Sequence, residues 1–280
     1  MKIKVWGCRG SLPTPGPQTI RYGGNGTCIE IRPHGTHIII IDAGSGLRIL
    51  GKELIKEKEI EKISFLMTHS HWDHLMGFPF FLPAYFSRFT IEIRGGPKAQ
   101  DSLAKYLARQ MEPPYFPVDF NLLKAKFVFG GSGPLSILDE DIQIDSIELS
   151  HPNGCYGYKF QHYGKTFVFL TDNELAYHHE GGLSTDEYVS FCKNADLLFH
   201  DAQYTDEEYE KTRTWGHSTF NQAIDLALAA GVKSLGFIHH DPDRTDDDLD
   251  FQVEKCNKRI TDENRELHCF GVQEGMEIDL

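Results

Sequence analysis

The sequence contains no apolar run near the ~18 residues that a membrane-spanning helix needs. Its longest candidates are Ile38 to Ile41 and Phe78 to Phe86, and prolines interrupt the second. A soluble protein is expected. There is no basic run either: 28 Lys and Arg stand against 41 Asp and Glu, for a net charge of −13. Binding long nucleic acid by counterion release calls for a basic face. A polyanion is therefore a poor main ligand, whereas a small anion held at a metal site is compatible with this charge. Cys8, Cys28, Cys155, Cys192, Cys256 and Cys269 include no C-x-x-C pair. In a chain this long they read as buried reduced thiols, not as a disulfide framework. No apolar segment precedes Cys8, which argues against lipoprotein processing. A cytoplasmic protein is expected. Repeats, low-complexity stretches and linkers are also missing, so residues 1–280 are read as a single domain.

What is present is a pattern of short apolar strands alternating with amphipathic helices. Strands are expected over Lys2 to Trp6, Thr27 to Arg32, His37 to Asp42, Ile63 to Thr68, Phe89 to Arg94 and Phe127 to Phe129. More follow over Ile142 to Leu149, Tyr156 to His162, Thr166 to Leu170, Leu197 to His200 and Ser234 to His239. Helices are expected over Leu47 to Glu57, Ala99 to Arg109, Asp186 to Lys193 and Asn221 to Ala230. The acidic stretch from Asp241 to Asp250 reads as a solvated helix start. Strands in both halves with helices between them imply an α/β fold of two packed sheets with helices outside.

The densest chemistry is Thr68-His-Ser-His-Trp-Asp-His74, directly after a buried strand. Imidazole and carboxylate form the N/O donor set of zinc and similar divalent ions. His69 and His71 are two residues apart and point the same way from extended backbone. Asp73 and His74 lie where the chain begins to turn and can face a second point. One loop can thus serve two metals.

This loop resembles the signature of the metallo-β-lactamase superfamily, and the resemblance spans nearly the whole chain. It implies an αβ/βα sandwich, two packed mixed sheets flanked by helices, with a dinuclear site along one edge. Asp42-Ala-Gly-Ser-Gly46 is similar to an early superfamily motif whose aspartate supports the ligand loop without binding metal. The fourth histidine then falls to His151, after the strand Ile142 to Leu149. Asp172, ending Phe167-Val-Phe-Leu-Thr-Asp172, matches the bridging carboxylate. His239 and His240 leave an extended strand on opposite faces, so only one is expected to ligate; similarity to the family pattern picks His239. The implied assembly is His69, His71 and His151 on one ion, Asp73, His74 and His239 on the other, and Asp172 between them. Zinc is the first expectation for both ions and manganese the alternative.

Two further segments, Asp196 to Thr205 and Gly216-His-Ser-Thr219, look like the phosphodiesterase branch that includes ribonuclease Z and the cyclic-phosphate hydrolases. That resemblance makes His217 a catalytic and phosphate-contacting residue, with Asp201 as the acid that steadies it. The family usually has glutamate where Asp201 stands. The N-terminal Trp6-Gly-Cys-Arg-Gly-Ser-Leu-Pro-Thr-Pro-Gly16, followed by Arg21-Tyr-Gly-Gly-Asn25, resembles a bacterial group of metal-dependent hydrolases grouped with class II cyclic-nucleotide phosphodiesterases. Arg9, Arg21 and Asn25 are candidate anion contacts there, set against a plain structural turn. Ribonuclease Z carries a long basic, glycine-rich arm, and no such insertion lies between His74 and His151, which argues against tRNA maturation. The expected function is hydrolysis of a small or cyclic phosphodiester by a dinuclear enzyme, with a homodimer left open. The rivals are a nuclease for short RNA or DNA and a ligand-binding or assembly protein with a vestigial site.

Overall fold

Four consecutive isoleucines can lie in one strand only if both faces of that strand are covered. The computed structural model, which describes residues 1–33, 36–95, 97–130 and 142–280 (backbone only for 97–102), shows how this is done. Ile39 and Ile41 point into a core between two sheets, while Ile38 and Ile40 point into a second core beneath helices.

The first sheet contains β1 (Lys2–Gly7), β2 (Cys28–Arg32), β3 (His37–Ile41), β4 (Lys62–Met67), β5 (Thr90–Gly95) and β6 (Lys126–Phe129). The second contains β7 (Ile142–Leu149), β8 (Cys155–His162), β9 (Lys165–Leu170), β10 (Leu197–Asp201), β11 (Ser234–Ile238) and β12 (His268–Gly271), while β13 (Glu277–Asp279) returns to the first. Strand orders are β13-β1-β2-β3-β4-β5-β6 and β12-β11-β10-β9-β8-β7. Each sheet is mixed. The pairs from β3 to β6 and from β9 to β12 are parallel, and the remaining pairs are antiparallel.

Phe167, Phe169, Leu197 and Phe199 face the first sheet across the central core, whereas Val168, Leu170 and Leu198 face outward. Outside the first sheet lie α1 (Leu47–Leu54) and α2 (Pro97–Gln110). Outside the second lie α3 (Thr185–Cys192), α5 (Phe220–Ala230) and α6 (Asp246–Asp262), with α4 (Asp206–Thr212) in the connection after β10. The result is the expected αβ/βα sandwich.

The expected elements are present with ends shifted by a few residues. Four elements were not expected as such: α4, β12, β13 and the full 17-residue extent of α6. Both late helices begin at threonine N-caps, Thr205 and Thr245, each with a reciprocal capping box. All six cysteines are free and buried. No described helix is long and apolar enough to cross a membrane.

The parallel arrangement matters for function. Ligands of open α/β sheets gather outside the carboxyl ends of the strands. Here those ends, from β3 and β4 in one sheet and β9, β10 and β11 in the other, converge on one edge and carry the candidate residues.

Candidate metal centre

The loop after β4 is held from below by Asp42, which follows β3. The fully buried Asp42 carboxylate accepts from Thr68 N (2.8 Å), Thr68 Oγ1 (2.8 Å) and His74 Nδ1 (2.7 Å). A three-residue 3₁₀ turn, Trp72–His74, then lifts Asp73 and His74 away from the extended His69 and His71. The three remaining members arrive from distant strands, with His151 after β7, Asp172 after β9 and His239 after β11. Asp42, Asp172 and His239 have φ values of 61°, 48° and 61°. This left-handed conformation is costly outside glycine and clusters at functional sites. At each of the three positions it ends a strand and turns the side chain toward the common edge.

The four buried histidines share one orientation. The Nδ1 of His69 meets Thr68 Oγ1 (3.0 Å), and that of His74 meets Asp42. The Nδ1 of His151 meets Gly216 O (2.9 Å), and that of His239 meets Gln203 Oε1 (3.0 Å). Each outer nitrogen donates to an oxygen, which leaves a bare Nε2 pointing inward, as metal-ligating histidines require. The Nε2 of His69 is buried with no hydrogen-bond partner, a state that costs stability unless something else fills it, and that of His74 faces only the carboxylates of Asp73 and Asp172. His71 is turned over, with its Nδ1 3.1 Å from His151 Nε2 and its Nε2 near the Asn153 amide.

Asp172 divides the cluster. Its Oδ2 lies 3.7 Å from both His69 Nε2 and His151 Nε2, while its Oδ1 lies 3.3 Å from His74 Nε2 and 3.4 Å from His239 Nε2. Asp73 Oδ2 faces the second pair, 3.1 Å from His74 Nε2 and 3.4 Å from His239 Nε2. Among the described residues, five overlapping trios have metal-holding geometry: His69/His71/His151, His69/His74/Asp172, Asp73/His74/His239, His151/Asp172/His217 and Asp201/His217/His239. Charge agrees with this. Burial lowers the His74 pKa, but Asp73, Asp172 and Asp42 together outweigh it and raise it well above the usual imidazole range. The pocket carries an excess of negative charge that bound cations would offset. The donor set therefore fits divalent metal ions.

His217 stands beside this cluster, its ring 5.3 Å from that of His151 and stacked 4.9 Å from that of His239. Its Nδ1 is 2.7 Å from Asp201 Oδ2. Aspartate thus reaches the imidazole at a position where the family usually has glutamate. Burial by itself would lower His217, but the charge and hydrogen bond of Asp201 prevail and raise it to about 9. Its neighbours fix the loop: Ser218 Oγ donates to Asn173 O, and Thr219 caps α5.

His239 and His240 separate clearly. His239 enters the cluster, while His240 is buried elsewhere, against the Tyr22 ring and Val272 O (2.8 Å). The reason is not strand alternation, because the left-handed backbone at His239 ends the strand before it.

Three expected anion contacts are corrected. Arg9 is fully buried and donates only to main-chain carbonyls, those of Gly23, Asp241 and Arg244. It clamps the N-terminal loop to the turn after His240. Asn25 spends its amide on Glu274 Oε2 and its oxygen on Ser45 Oγ. Arg21, likewise, pairs with Asp247 and Asp250. The N-terminal loop does reach the site, but through other groups. Ser11 N donates to Asp73 Oδ2 (3.0 Å), and a Cβ at Gly10 would fall 2.4 Å from His239 Nδ1.

Sequence reasoning missed Glu174 and Gln203. Glu174 is buried and accepts from Tyr209 Oη, Thr214 N, Gly216 N and His179 Nε2, all at 2.6–2.7 Å. It anchors the segment that carries Gly216 O and His217. Gly216 itself has φ 97°, and a Cβ there would lie 2.2 Å from His151 Nδ1. Glu174, two residues after Asp172, carried no motif of its own.

A mixed double sheet with paired imidazole and carboxylate groups at one edge defines the metallo-β-lactamase class of metal-dependent hydrolases. The chain belongs to the β-lactamase superfamily: that family's domain model matches residues 37–240. Its relatives include proteins named ribonuclease Z. That of Clostridium acetobutylicum is 26% identical over 86% of this chain and 88% of its own length, and that of Haloarcula marismortui 23% identical over 85% and 86%. That of Brevibacillus brevis is 35% identical, but over 32% of this chain and 26% of its own. Similar folds occur in the short form of human tRNase Z (TM-score 0.67, 21% identity, 100% and 99% of the two chains). Another is a diphosphatase of the PhnP family (0.68, 17%, 100% and 97%).

Proposed function

We propose that this protein is a dinuclear metal-dependent phosphodiesterase acting on a small or cyclic phosphodiester. The observation that carries the reading is the buried Asp201–His217 pair set beside a carboxylate, Asp172, whose two oxygens face two different ligand groups. His69, His71 and His151 would hold one ion and Asp73, His74 and His239 the other, with Asp172 shared. The N/O donors suit zinc first and manganese second. When bound, such ions supply Lewis acidity toward a phosphoryl oxygen and make water nucleophilic near neutral pH.

The chain's own residues do the rest. With Nδ1 committed to Asp201, His217 has Nε2 left for the substrate. Its proton hydrogen-bonds a phosphate oxygen in the ground state. As a water oxygen bonds to phosphorus and the bond to the leaving oxygen breaks, that proton passes to the departing alkoxide. Asp201 holds the ring orientation and offsets the imidazolium charge until transfer. A positioned acid of this kind contributes typically 10²–10⁴-fold.

A nuclease acting on short RNA is the second reading, favoured by relatives named ribonuclease Z. The net charge of −13 favours the small substrate. The test is metal analysis of the purified protein alongside a panel of bis(p-nitrophenyl) phosphate, 2′,3′- and 3′,5′-cyclic nucleotides and a short oligoribonucleotide. Turnover of the small esters well above the oligonucleotide supports the proposal. The opposite order gives the nuclease, and no turnover with metal bound gives a binding protein.

A further inference from the structure

Beside the metal-ligand loop the surface carries an unusual concentration of exposed aromatic rings. Trp72 is 68% exposed, Phe80 53%, Tyr106 40% and Tyr115 78%. They line one apolar cleft of about 620 Å³ together with Phe116, and the exposed Arg109 also lines it. Phe80 and Phe116 meet edge to face, with centroids 5.4 Å apart, and form a fixed wall.

Two features tie the cleft to the chemistry. Trp72 sits in the sequence between His71 and Asp73, so its ring is carried by the metal-ligand loop itself. Ser70 and Tyr106 line both this cleft and the smaller polar one formed by His69, His71 and Asn153. The two clefts therefore adjoin through these residues, and a ligand with its phosphate beside His69 and His71 would lay its next bulky group toward the rings.

We propose that this cleft is a subsite for the nucleobase of a nucleotide phosphodiester, stacking the planar ring on Trp72 and Tyr115 with Arg109 at its edge. The inference rests on the phosphodiesterase reading and narrows its substrate class. Its chemistry is generic: every base has a π-face, so stacking on aromatic side chains gives affinity with little sequence preference, and Arg adds a cation–π component. The volume is of the size that holds one small ligand.

The test uses metal-loaded protein and two probes that differ only in the base, adenosine 5′-monophosphate and ribose 5-phosphate. First, each is titrated against intrinsic tryptophan fluorescence, in wild type and in Trp72→Phe. Saturable quenching by the nucleotide alone, lost in Trp72→Phe, is expected. Equal quenching by both probes, or none by the nucleotide, overturns the subsite. If size-exclusion shows a dimer and quenching appears only on dilution to monomer, the patch is an interface between copies and the proposal also fails. Second, both probes are used as inhibitors of bis(p-nitrophenyl) phosphate hydrolysis. The nucleotide should bind at least tenfold more tightly than the sugar phosphate, and Phe80→Ala/Tyr115→Ala should bring that ratio to within about twofold. A ratio unchanged in the variant overturns the assignment. If no phosphodiester is hydrolysed at all, the functional reading fails, while the fluorescence titration still decides the subsite.

Discussion

His217 Nδ1 lies 2.7 Å from Asp201 Oδ2, with the carboxylate fully buried and the imidazole nearly so. The pair spans two elements of one sheet edge, since Asp201 ends β10 and His217 precedes α5. Because His217 also falls in metal-holding trios with His151 and Asp172 and with Asp201 and His239, metal analysis of its variants separates a ligand from a proton donor.

His217→Ala should retain two metals per chain and lower kcat by about 10²–10⁴. The loss should be smaller for p-nitrophenyl esters, which depart with little protonation, and larger for a ribose hydroxyl leaving group. Asp201→Asn should show the same leaving-group dependence with a smaller loss. Steady-state kinetics with both ester types check this, and equal losses would point to phosphate positioning instead.

Asp172→Ala should lose both metals, because each of its oxygens faces a different ligand group. His69→Ala should also lose metal and activity, and both variants should keep most of the fold. Elemental analysis beside far-UV circular dichroism reads the outcome. Full occupancy in either variant refutes the ligand assignment.

For the adjacent pair, His239→Ala should abolish activity, whereas His240→Ala should keep much of it. The second substitution still removes a fully buried ring from Tyr22 and leaves Val272 O unpaired. A stability loss of about 2–4 kcal/mol is expected from the cavity and the unmet acceptor. Activity and denaturant midpoints should therefore move in opposite order for the two variants.

Glu174→Ala should strip four donors of their acceptor at once, and about 3 kcal/mol or more of stability with it. Because Gly216 O orients His151, metal affinity should fall as well. Glu174→Gln, which preserves shape and one acceptor oxygen, should recover part of both. Metal titration followed by thermal unfolding distinguishes this from a general loss of folding.

The Arg32–Glu57 pair gives a pH dependence away from the site. Its two bonds, 2.7 and 2.8 Å, hold the Glu57 carboxyl below its ordinary 4.5. A carboxylate depressed by folding contributes stability above its unfolded pKa and loses it as pH falls through the folded value. Glu57→Gln should thus cost about 0.5–1 kcal/mol at pH 7, the range for a solvent-screened pair. The gap from wild type should narrow below about pH 4.5, which urea melts at pH 7 and pH 4 would detect.

The sequence by itself determined what depends on near neighbours in the chain. The layering followed from apolar runs such as Ile38 to Ile41, and the gathering of His69, His71, Asp73 and His74 on one loop followed from spacing alone, because adjacent residues on one backbone trace have fixed relative directions. Tertiary structure decided everything that depends on separate strands meeting. His239 rather than His240 enters the cluster because the chain turns left-handed there, a conformation that pattern alone does not reveal. Arg9 looks like an anion contact in the sequence and becomes a buried clamp only because Gly23, Asp241 and Arg244 present their carbonyls to it. Glu174 and Gln203, with no motif around them, gained their roles from groups 35 to 42 residues away that only the folded sheet edge brings within 3 Å.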